Sequence, residues 1–249
     1  MNLDGKVVLV TGGTMGIGAA IACDLARRGA DIAIAARTLG DEALQTSQQI
    51  EGCGRRCFST SADFSRQADC EAVVAATVEH FGRLDVLIHN AGANAPGSID
   101  EVSPDDWRYA MDVHVNANFY LARAAIPHLR KQNEGCIVTI SSTAGIRGVA
   151  GALAYATAKG ALPQFTRSLA RELADDNIRV NCVAPGVIRT RFHDYMTPER
   201  KELNLKHRIP LHREGTPHQV AEAVGLLVTN DYITGEVIVV DGGLTSRIA

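Results

Sequence analysis

Tyr155 and Lys159 are the residues whose types and spacing fit acid–base chemistry most directly. Residues four apart lie on one face of an α-helix, so a phenol and an ammonium can share one small volume there. A cation about 4 Å from a phenolate, at an effective dielectric of about 20, attracts it by about 4 kcal/mol. Because one pKa unit corresponds to about 1.4 kcal/mol, we expect the lysine to lower the tyrosine pKa by about three units, toward neutrality. Ordinary helices also contain tyrosine and lysine at this spacing, so the rest of the sequence must show whether the pair is catalytic.

A glycine-rich segment near the start of the chain predicts a nucleotide site. Residues 6–10 form an apolar run typical of a buried strand, and a helical pattern extends from Ala19 to Arg28. Between them, glycines let the backbone turn tightly and approach a pyrophosphate, whose charge then lies against the helix N-terminus. The residues of this segment that we expect to contact the nucleotide are Gly12, Thr14, Met15, Gly16, Ile17 and Gly18.

The end of the second predicted strand, residues 31–36, indicates which nucleotide is bound. An NAD enzyme places an acidic residue there to bind the ribose 2′-hydroxyl, whereas this chain has Arg37 followed by Thr38. Because a guanidinium binds a phosphate well, the sequence favours NADP(H) over NAD(H). Asp41 and Glu42 lie close by in sequence, and their negative charges would repel the extra phosphate of NADP(H). NAD(H) therefore remains the alternative.

Composition limits the classes of function. The chain has 249 residues, 46% of them hydrophobic and 21% charged, with a formal net charge of −3 and a pI of about 6.2. These values predict one globular domain over residues 1–249 and disfavour a nucleic-acid partner. No stretch resembles a membrane-spanning segment or a signal peptide, so we expect a cytoplasmic protein. The six scattered cysteines are expected to be reduced, and no grouping predicts a metal site.

Strand and helix patterns alternate along the whole chain. This alternation predicts a doubly wound α/β fold whose mainly parallel sheet carries helices on both faces. Several strands are followed by small or polar residues, namely Asp63 before Phe64, residues 89–92, and Ser142. Because such sheets bind ligands at the carboxyl ends of their strands, we expect these segments to line one crevice. Residues 189–217 are charged and contain prolines, which predicts an irregular lid or binding loop.

Together, these motifs resemble those of the short-chain dehydrogenase/reductase family, in its compact single-domain subgroup, over nearly all of the chain. The resemblance implies a seven-stranded Rossmann-type sheet, a nicotinamide cofactor and a homotetramer. The matching segments are Thr11-Gly12 with Gly16-Ile17-Gly18, His89-Asn90-Ala91-Gly92 (histidine standing where the family has asparagine), Ser142, Tyr155 with Lys159, Pro185-Gly186 with Thr190, Ile233-Thr234-Gly235 and Asp241-Gly242-Gly243.

The resemblance also implies a role for each matched residue. Tyr155 would exchange a proton with the substrate oxygen, Lys159 would lower the tyrosine pKa and bind the nicotinamide ribose, and Ser142 would hydrogen-bond that oxygen. The implied reaction is the NADP(H)-dependent interconversion of a secondary alcohol and a ketone. The further cofactor contacts that it implies are Asp63 and Phe64 at the adenine, Asn90, Ala91 and Gly92 at the adenosine ribose, and Pro185, Gly186, Ile188 and Thr190 around the nicotinamide and diphosphate.

The chain departs from the family's pattern on two helices. On the central helix the family has an asparagine whose backbone carbonyl helps to hold a water that passes protons to the lysine. This chain has His114 there, while Asn116 should face elsewhere on a helix. We expect His114 to keep the relay, through its carbonyl or its imidazole; the alternative is a packing substitution. Pro163 cannot donate to the carbonyl of Lys159 and is expected to kink that helix, as Pro127 is expected to kink the central one.

The substrate pocket should be lined by residues 146–150 and by the loop 190–210, by family position. Arg147, Arg191 and His193 lie in these segments, where they could attract an anionic group such as a carboxylate. A ketoacyl thioester, a sugar or polyol, a hydroxy acid and a hydroxysteroid all fit the pattern.

Two other classes of function remain open. A nucleotide-binding scaffold without turnover is disfavoured because the catalytic serine, tyrosine and lysine are all present. A dehydratase or epimerase with tightly held NAD is disfavoured by Arg37 and by the short C-terminal region.

Overall fold

The computed structural model describes residues 1–191 and 196–246 of the chain. Seven strands form one sheet, and every neighbouring pair is parallel. The strands are β1 (Val7–Thr11), β2 (Asp31–Ala36), β3 (Cys57–Ser61), β4 (Val86–His89), β5 (Gly135–Ile140), β6 (Ile178–Pro185) and β7 (Val237–Val240). Their order across the sheet is β3-β2-β1-β4-β5-β6-β7. This confirms the predicted seven-stranded Rossmann-type sheet.

Helices cover both faces of the sheet. They are α1 (Gly16–Arg27), α2 (Asp41–Glu51), α3 (Gln67–Phe81), α4 (Pro104–Met111), α5 (Ala117–Arg130), α6 (Leu153–Glu172), α7 (Pro198–Leu203) and α8 (Pro217–Thr229). Leu25 of α1 and Val224 of α8 lie in one buried apolar layer. Val73 of α3 and Leu121 of α5 lie in the other. Within the described ranges, no helix is both long and apolar enough to cross a membrane.

The two central strands explain where the crevice lies. Every residue of β1 and of β4 is buried, as expected for strands covered on both faces. Strands β2 and β3 extend the sheet on one side of β1, and the later strands extend it on the other. The strand order therefore reverses between β1 and β4, and such a reversal leaves a crevice at the carboxyl ends of the strands. Thr11 and His89 are paired at this point.

The sequence from Trp107 to Arg130 has a long helical pattern that predicts one central helix, but the structure divides this helix. Helix α4 ends at Met111, a π-helical turn covers Asp112–Asn116, and α5 begins at Ala117 and continues through Pro127. A π-helical turn inserts one extra residue and frequently marks a functional site. Two carbonyls of this turn are bound by side chains, one from β4 and one from the first turn of α5, as described below.

The segment predicted to be an irregular loop contains a short helix. Helix α7 is followed by a second π-helical turn, Asn204–Arg208. The side chain of Thr197 accepts the backbone N–H of Arg200 at 3.3 Å, and Pro198 is the first helical residue. Threonine before proline is a helix-start signal that the sequence contains. His193 lies outside the described residues.

Candidate active site

A cavity of about 1150 Å³ opens at the carboxyl ends of the strands. Its wall brings together Ser142, Tyr155, Lys159 and His114. Of the predicted cofactor contacts, only Gly18 is absent from the wall; it lies in the first turn of α1. The others in the wall are Gly12, Thr14, Met15, Gly16, Ile17, Arg37, Thr38, Asp63, Phe64, Asn90, Ala91, Gly92, Pro185, Gly186, Ile188 and Thr190.

The glycine loop leaves an open, electropositive space at the start of α1. A Cβ on Gly18 would overlap the carbonyl oxygen of Gly12 and lie 2.5 Å from Nδ2 of Asn90, so only glycine fits. No side chain caps the N-terminus of α1, and no acidic residue lies in its first turn. Thr190 faces this loop, 3.4 Å from the position that a Cβ on Gly16 would take. Unpaired backbone N–H groups and the positive end of the helix dipole suit a pyrophosphate, so these residues fit a dinucleotide.

Arg37 lies exposed at the end of β2, where the 2′-phosphate of NADP would be expected. Its guanidinium donates to the hydroxyl of Tyr109 at 3.2 Å and forms no ion pair with any described residue. Glu42, whose charge opposes a phosphate, forms an ion pair with Arg191. The pKa of Asp63 is held below its usual range by the backbone N–H of Ser65, with the charge of Arg37 contributing. Arg37 is therefore the cation at this end of the cavity that has no carboxylate partner among the described residues, and its guanidinium could bind an anion.

Lys159 and Tyr155 lie together on the first two turns of α6. Nζ of Lys159 is buried, donates to the carbonyl of Ile140 at 2.7 Å, and lies 5.8 Å from the centre of the Tyr155 ring. Burial lowers the pKa of Lys159 to about 8, so the lysine is mainly cationic at neutral pH. Ser142 follows β5, and its Oγ accepts the backbone N–H of Ala144 at 3.1 Å. One cavity wall thus holds the hydroxyl of Ser142, the phenol of Tyr155 and the cation of Lys159.

Comparisons with known proteins agree with this geometry. The family model described as Enoyl-(Acyl carrier protein) reductase matches residues 12–245. Human dehydrogenase/reductase SDR family member 4 is 38% identical over 252 residues, which cover 99% of this chain and 90% of the human protein. The chain belongs to the short-chain dehydrogenase/reductase family.

Two further members of the family are similar to this chain over almost its whole length. The 3-oxoacyl-(acyl-carrier-protein) reductase FabG of Thermotoga maritima is 35% identical over 246 residues, covering 98% of this chain and 99% of that protein. A short chain dehydrogenase from Burkholderia cenocepacia J2315, solved in complex with NADP, is 35% identical and has a TM-score of 0.90. That structural match covers 98% of this chain and 99% of the other.

His89 stands where the family's first motif asparagine is expected, and it joins β4 to the central helix. The hydroxyl of Thr11 accepts the backbone N–H groups of Asn90 and Ala91, at 3.1 and 3.0 Å, and donates to Nδ1 of His89 at 2.8 Å. Nε2 of His89 then donates to the carbonyl of Val113 in the π-helical turn, at 3.3 Å. These partners assign a neutral tautomer, and burial lowers the pKa of His89 to about 3.

His114 lies edge-on beside Tyr155, with ring centroids 5.4 Å apart. Its Nε2 donates to the carbonyl of Ala93 at 2.8 Å, which leaves Nδ1 as a buried acceptor without a partner among the described residues. Burial lowers the pKa of His114 to about 2, so this imidazole is also neutral. The carbonyl of His114 accepts Nδ2 of Asn118 at 2.6 Å, whereas Asn116 bonds Asp112 and is not in the cavity wall. Sequence reasoning missed Asn118.

The substrate end of the cavity differs from the sequence prediction. Of residues 146–150, only Val149 lines the main cavity. The guanidinium of Arg147 donates to the carbonyl of Thr245 at 2.6 Å, and Arg191 lies with Glu42 at the adenosine end. The predicted loop 190–210 contributes Met196, Arg200, Asn204 and Arg208 to the wall. The residues around the mouth that sequence reasoning missed are Asn94, Pro96, Ala152 and Leu244.

Arg200 and Arg208 are the cations at that mouth. Both also line a smaller adjoining cavity that includes Val149. Neither forms an ion pair with a described residue; Arg208 is half-buried and donates to Oδ1 of Asn204 at 3.1 Å. The basic residues of this segment were visible in the sequence, but only the turn after α7 determines which of them reach the cavity.

Proposed function

We propose that this member of the short-chain dehydrogenase/reductase family catalyses the NADP(H)-dependent interconversion of a secondary alcohol and a ketone. The observation that carries the proposal is the convergence of Ser142, Tyr155 and Lys159 on one cavity whose other end is the glycine loop. A protein that bound a nucleotide without turnover would have no use for a phenol beside a buried cation at this place.

Each catalytic side chain has one task in the proposed reaction. The glycine loop, Arg37 and Lys159 would hold a nicotinamide cofactor, which would supply hydride chemistry at the substrate carbon. In reduction, the hydroxyl of Tyr155 donates its proton to the substrate oxygen, and in oxidation the tyrosinate takes that proton back. The hydroxyl of Ser142 donates a hydrogen bond to the same oxygen as negative charge develops on it. Lys159 stabilises the tyrosinate, and it loses this ability as the pH rises through about 8.

The proton that Tyr155 gives up must be replaced from solvent, and we propose that the route passes Lys159 and the carbonyl of His114. The imidazole of His114 is a poor carrier, because burial lowers its pKa to about 2 and a cationic intermediate would be disfavoured. His114 lies in the π-helical turn, whose carbonyls do not follow the regular α-helical hydrogen-bond pattern. Its carbonyl can therefore be bound by a side chain, as Asn118 does.

Arg37 supports NADP(H) as the cofactor. It is exposed, lacks a carboxylate partner among the described residues, and lies at the strand end that distinguishes the two cofactors. The ion pair with Arg191 offsets the charge of Glu42, one of the two acidic residues that favour NAD(H). The Burkholderia relative, solved with NADP, is consistent with this choice.

Arg200 and Arg208 favour a substrate with an anionic group remote from its carbonyl. A half-buried guanidinium without a carboxylate partner binds a carboxylate or phosphate through charge-assisted hydrogen bonds. We also propose a homotetramer, by resemblance to the family, and light scattering on the purified protein tests it.

The decisive experiment is a screen of ketones with NADPH and NADH, arranged as keto acids and their methyl esters. We expect NADPH oxidation, with kcat/KM higher for the acid of each pair by about tenfold. Arg208→Met should remove the preference for the acid, whereas Lys201→Met, at an exposed lysine outside the cavity wall, should retain it. Failure to reduce any ketone with either cofactor would refute the proposed reaction. Equal rates for acids and esters would refute only the anionic substrate.

A further inference from the structure

Pro163 removes one backbone hydrogen bond from the helix that carries the catalytic lysine. Helix α6 continues through Pro163, which lies four residues after Lys159. In an α-helix the N–H of residue 163 would donate to the carbonyl of residue 159, but proline has no N–H. Lys159 is buried, so its carbonyl cannot obtain that bond from bulk water. The helix therefore needs another donor at this point.

Ser141 supplies that donor. Its Oγ donates to the carbonyl of Lys159 at 2.7 Å, and the residue is buried. The backbone N–H of Ser141 donates to the carbonyl of Val183 in β6 at 2.8 Å, which fixes the serine at the end of the sheet. Pro163 and Ser141 are 22 positions apart in sequence, and they act on one carbonyl.

Both polar ends of Lys159 are held by consecutive residues that lead into Ser142. Ile140 accepts Nζ of Lys159 at 2.7 Å, and Ser141 donates to its carbonyl. We name this arrangement of Ile140, Ser141 and Lys159 the lysine clamp. The turn after Ser142 closes over it, since a Cβ on Gly145 would lie 2.5 Å from the carbonyl carbon of Lys159.

We propose that Ser141 is a positioning residue for Lys159, required because Pro163 leaves the lysine carbonyl without its helical donor. The catalytic role of the clamp rests on the proposed function. Because the clamp joins the end of β5 to the second turn of α6, it sets the position of Ser142 relative to Tyr155 and Lys159. The side-chain ammonium and the backbone of the lysine are thereby fixed from the same two residues of the sheet.

A double-mutant cycle on Ser141→Ala and Pro163→Ala tests the clamp, because alanine at position 163 restores the N–H that proline lacks. With Pro163 present, Ser141→Ala should lower the thermal unfolding midpoint, lower kcat/KM for a ketone about tenfold and raise KM for the cofactor. In the Pro163→Ala background, the same serine change should alter kcat/KM less than about twofold. Pro127→Ala, in α5, removes another proline from inside a helix and should leave the full effect of Ser141→Ala in place.

The pH profile separates positioning from a merely structural role. The titratable groups around Nζ of Lys159 are Tyr155, Cys182, His89 and His114. Burial lowers the pKa of Lys159 to about 8, so a loosened lysine should take up water and its titration should move to higher pH. The pH profile of kcat/KM should move to higher pH in Ser141→Ala and should return to the position of the unsubstituted protein in Ser141→Ala/Pro163→Ala.

The cycle distinguishes failure of the clamp from failure of the proposed reaction. Equal losses of unfolding midpoint from Ser141→Ala in both backgrounds would overturn the clamp, whatever the activity. If Ser141→Ala fails to fold while Ser141→Ala/Pro163→Ala folds, the clamp is supported. If neither folds, the restored N–H has not replaced the serine and the clamp is overturned. If the effects of the two substitutions on the unfolding midpoint are non-additive but the protein reduces no ketone, the hydrogen bond of the clamp is supported and the proposed reaction is refuted.

Discussion

The two ends of the cavity are built in different ways. The cofactor end consists of backbone and missing side chains, because Gly18 lies against Gly12 with no room for a methyl group. The catalytic end contains buried polar side chains with specific partners, such as Thr11 with the imidazole of His89 and Ser141 with the backbone carbonyl of Lys159. Substitutions that add side-chain volume should therefore abolish cofactor binding at the first end. Substitutions that remove a proton donor or a hydrogen-bond donor should reduce turnover at the second end.

Tyr155→Phe should have the largest effect on turnover and should leave the cofactor end intact. The substitution removes the proposed acid but keeps the ring beside His114, so kcat should fall by about 10²–10⁴-fold. Affinity for NADPH, measured by fluorescence titration, should change less than about threefold, since one hydrogen bond at most is lost from many contacts. Retained turnover, or loss of both properties together, would contradict the division between the two ends.

Gly18→Ala should act in the opposite way. The new Cβ would meet the carbonyl oxygen of Gly12, which is backbone and cannot rotate away, so overpacking should cost about 3 kcal/mol of unfolding free energy or more. Binding of NADPH should be lost with it. Gly148→Ala is the matched control, because a Cβ there meets nothing within 4 Å. Isothermal titration and urea unfolding of the two variants measure the difference, and equal behaviour would refute the tight loop.

This contrast also explains which features the sequence predicts. The glycine loop and Arg37 lie directly after strands whose apolar runs are local signals, so their positions follow from the alternating pattern. No local sequence signal marks the π-helical turn at Asp112–Asn116, and His89 reaches the carbonyl of Val113 only after the fold has brought β4 beside the turn.

The catalytic end contains the features that the sequence could not place. The sequence identifies Pro163 as a missing donor, but Ser141 becomes its replacement only when β5 packs beside α6. For the same reason the sequence alone suggests that Arg147 and Arg191 could attract an anionic group, whereas the fold gives both of them other partners. Long-range hydrogen bonds are the part of this site that requires coordinates.

Arg37→Asp should change the choice of cofactor without changing the chemistry. Loss of a charge-assisted contact, with repulsion added, should lower kcat/KM with NADPH by about 10–100-fold, while the value with NADH should hold or rise. Arg167→Asp places the same charge change on an exposed part of α6, and should leave the ratio unaltered. Steady-state kinetics with both cofactors give the ratio, and an unchanged ratio in Arg37→Asp would remove the argument for the 2′-phosphate.

The smallest effect near neutral pH, and the one most particular to this chain, concerns His89 and His114. Their folded pKa values are about 3 and about 2, whereas 6.5 is the ordinary value, because burial disfavours the charged form. As the pH falls below about 6.5, the unfolded chain binds protons that the folded one does not. Each histidine therefore lowers the free energy of unfolding by about 1.4 kcal/mol per pH unit.

The double variant His89→Asn/His114→Asn should flatten this dependence, because asparagine cannot take up a proton. Urea unfolding between about pH 4.5 and 7.5, a range below and above the ordinary histidine pKa, measures the slope. His218→Asn, at an exposed position on α8, is the control that should keep it. An equally steep slope in the double variant would mean that other groups cause the acid sensitivity. If asparagine also retains turnover, as the carbonyl route through position 114 requires, the imidazole serves the fold and the backbone serves the reaction.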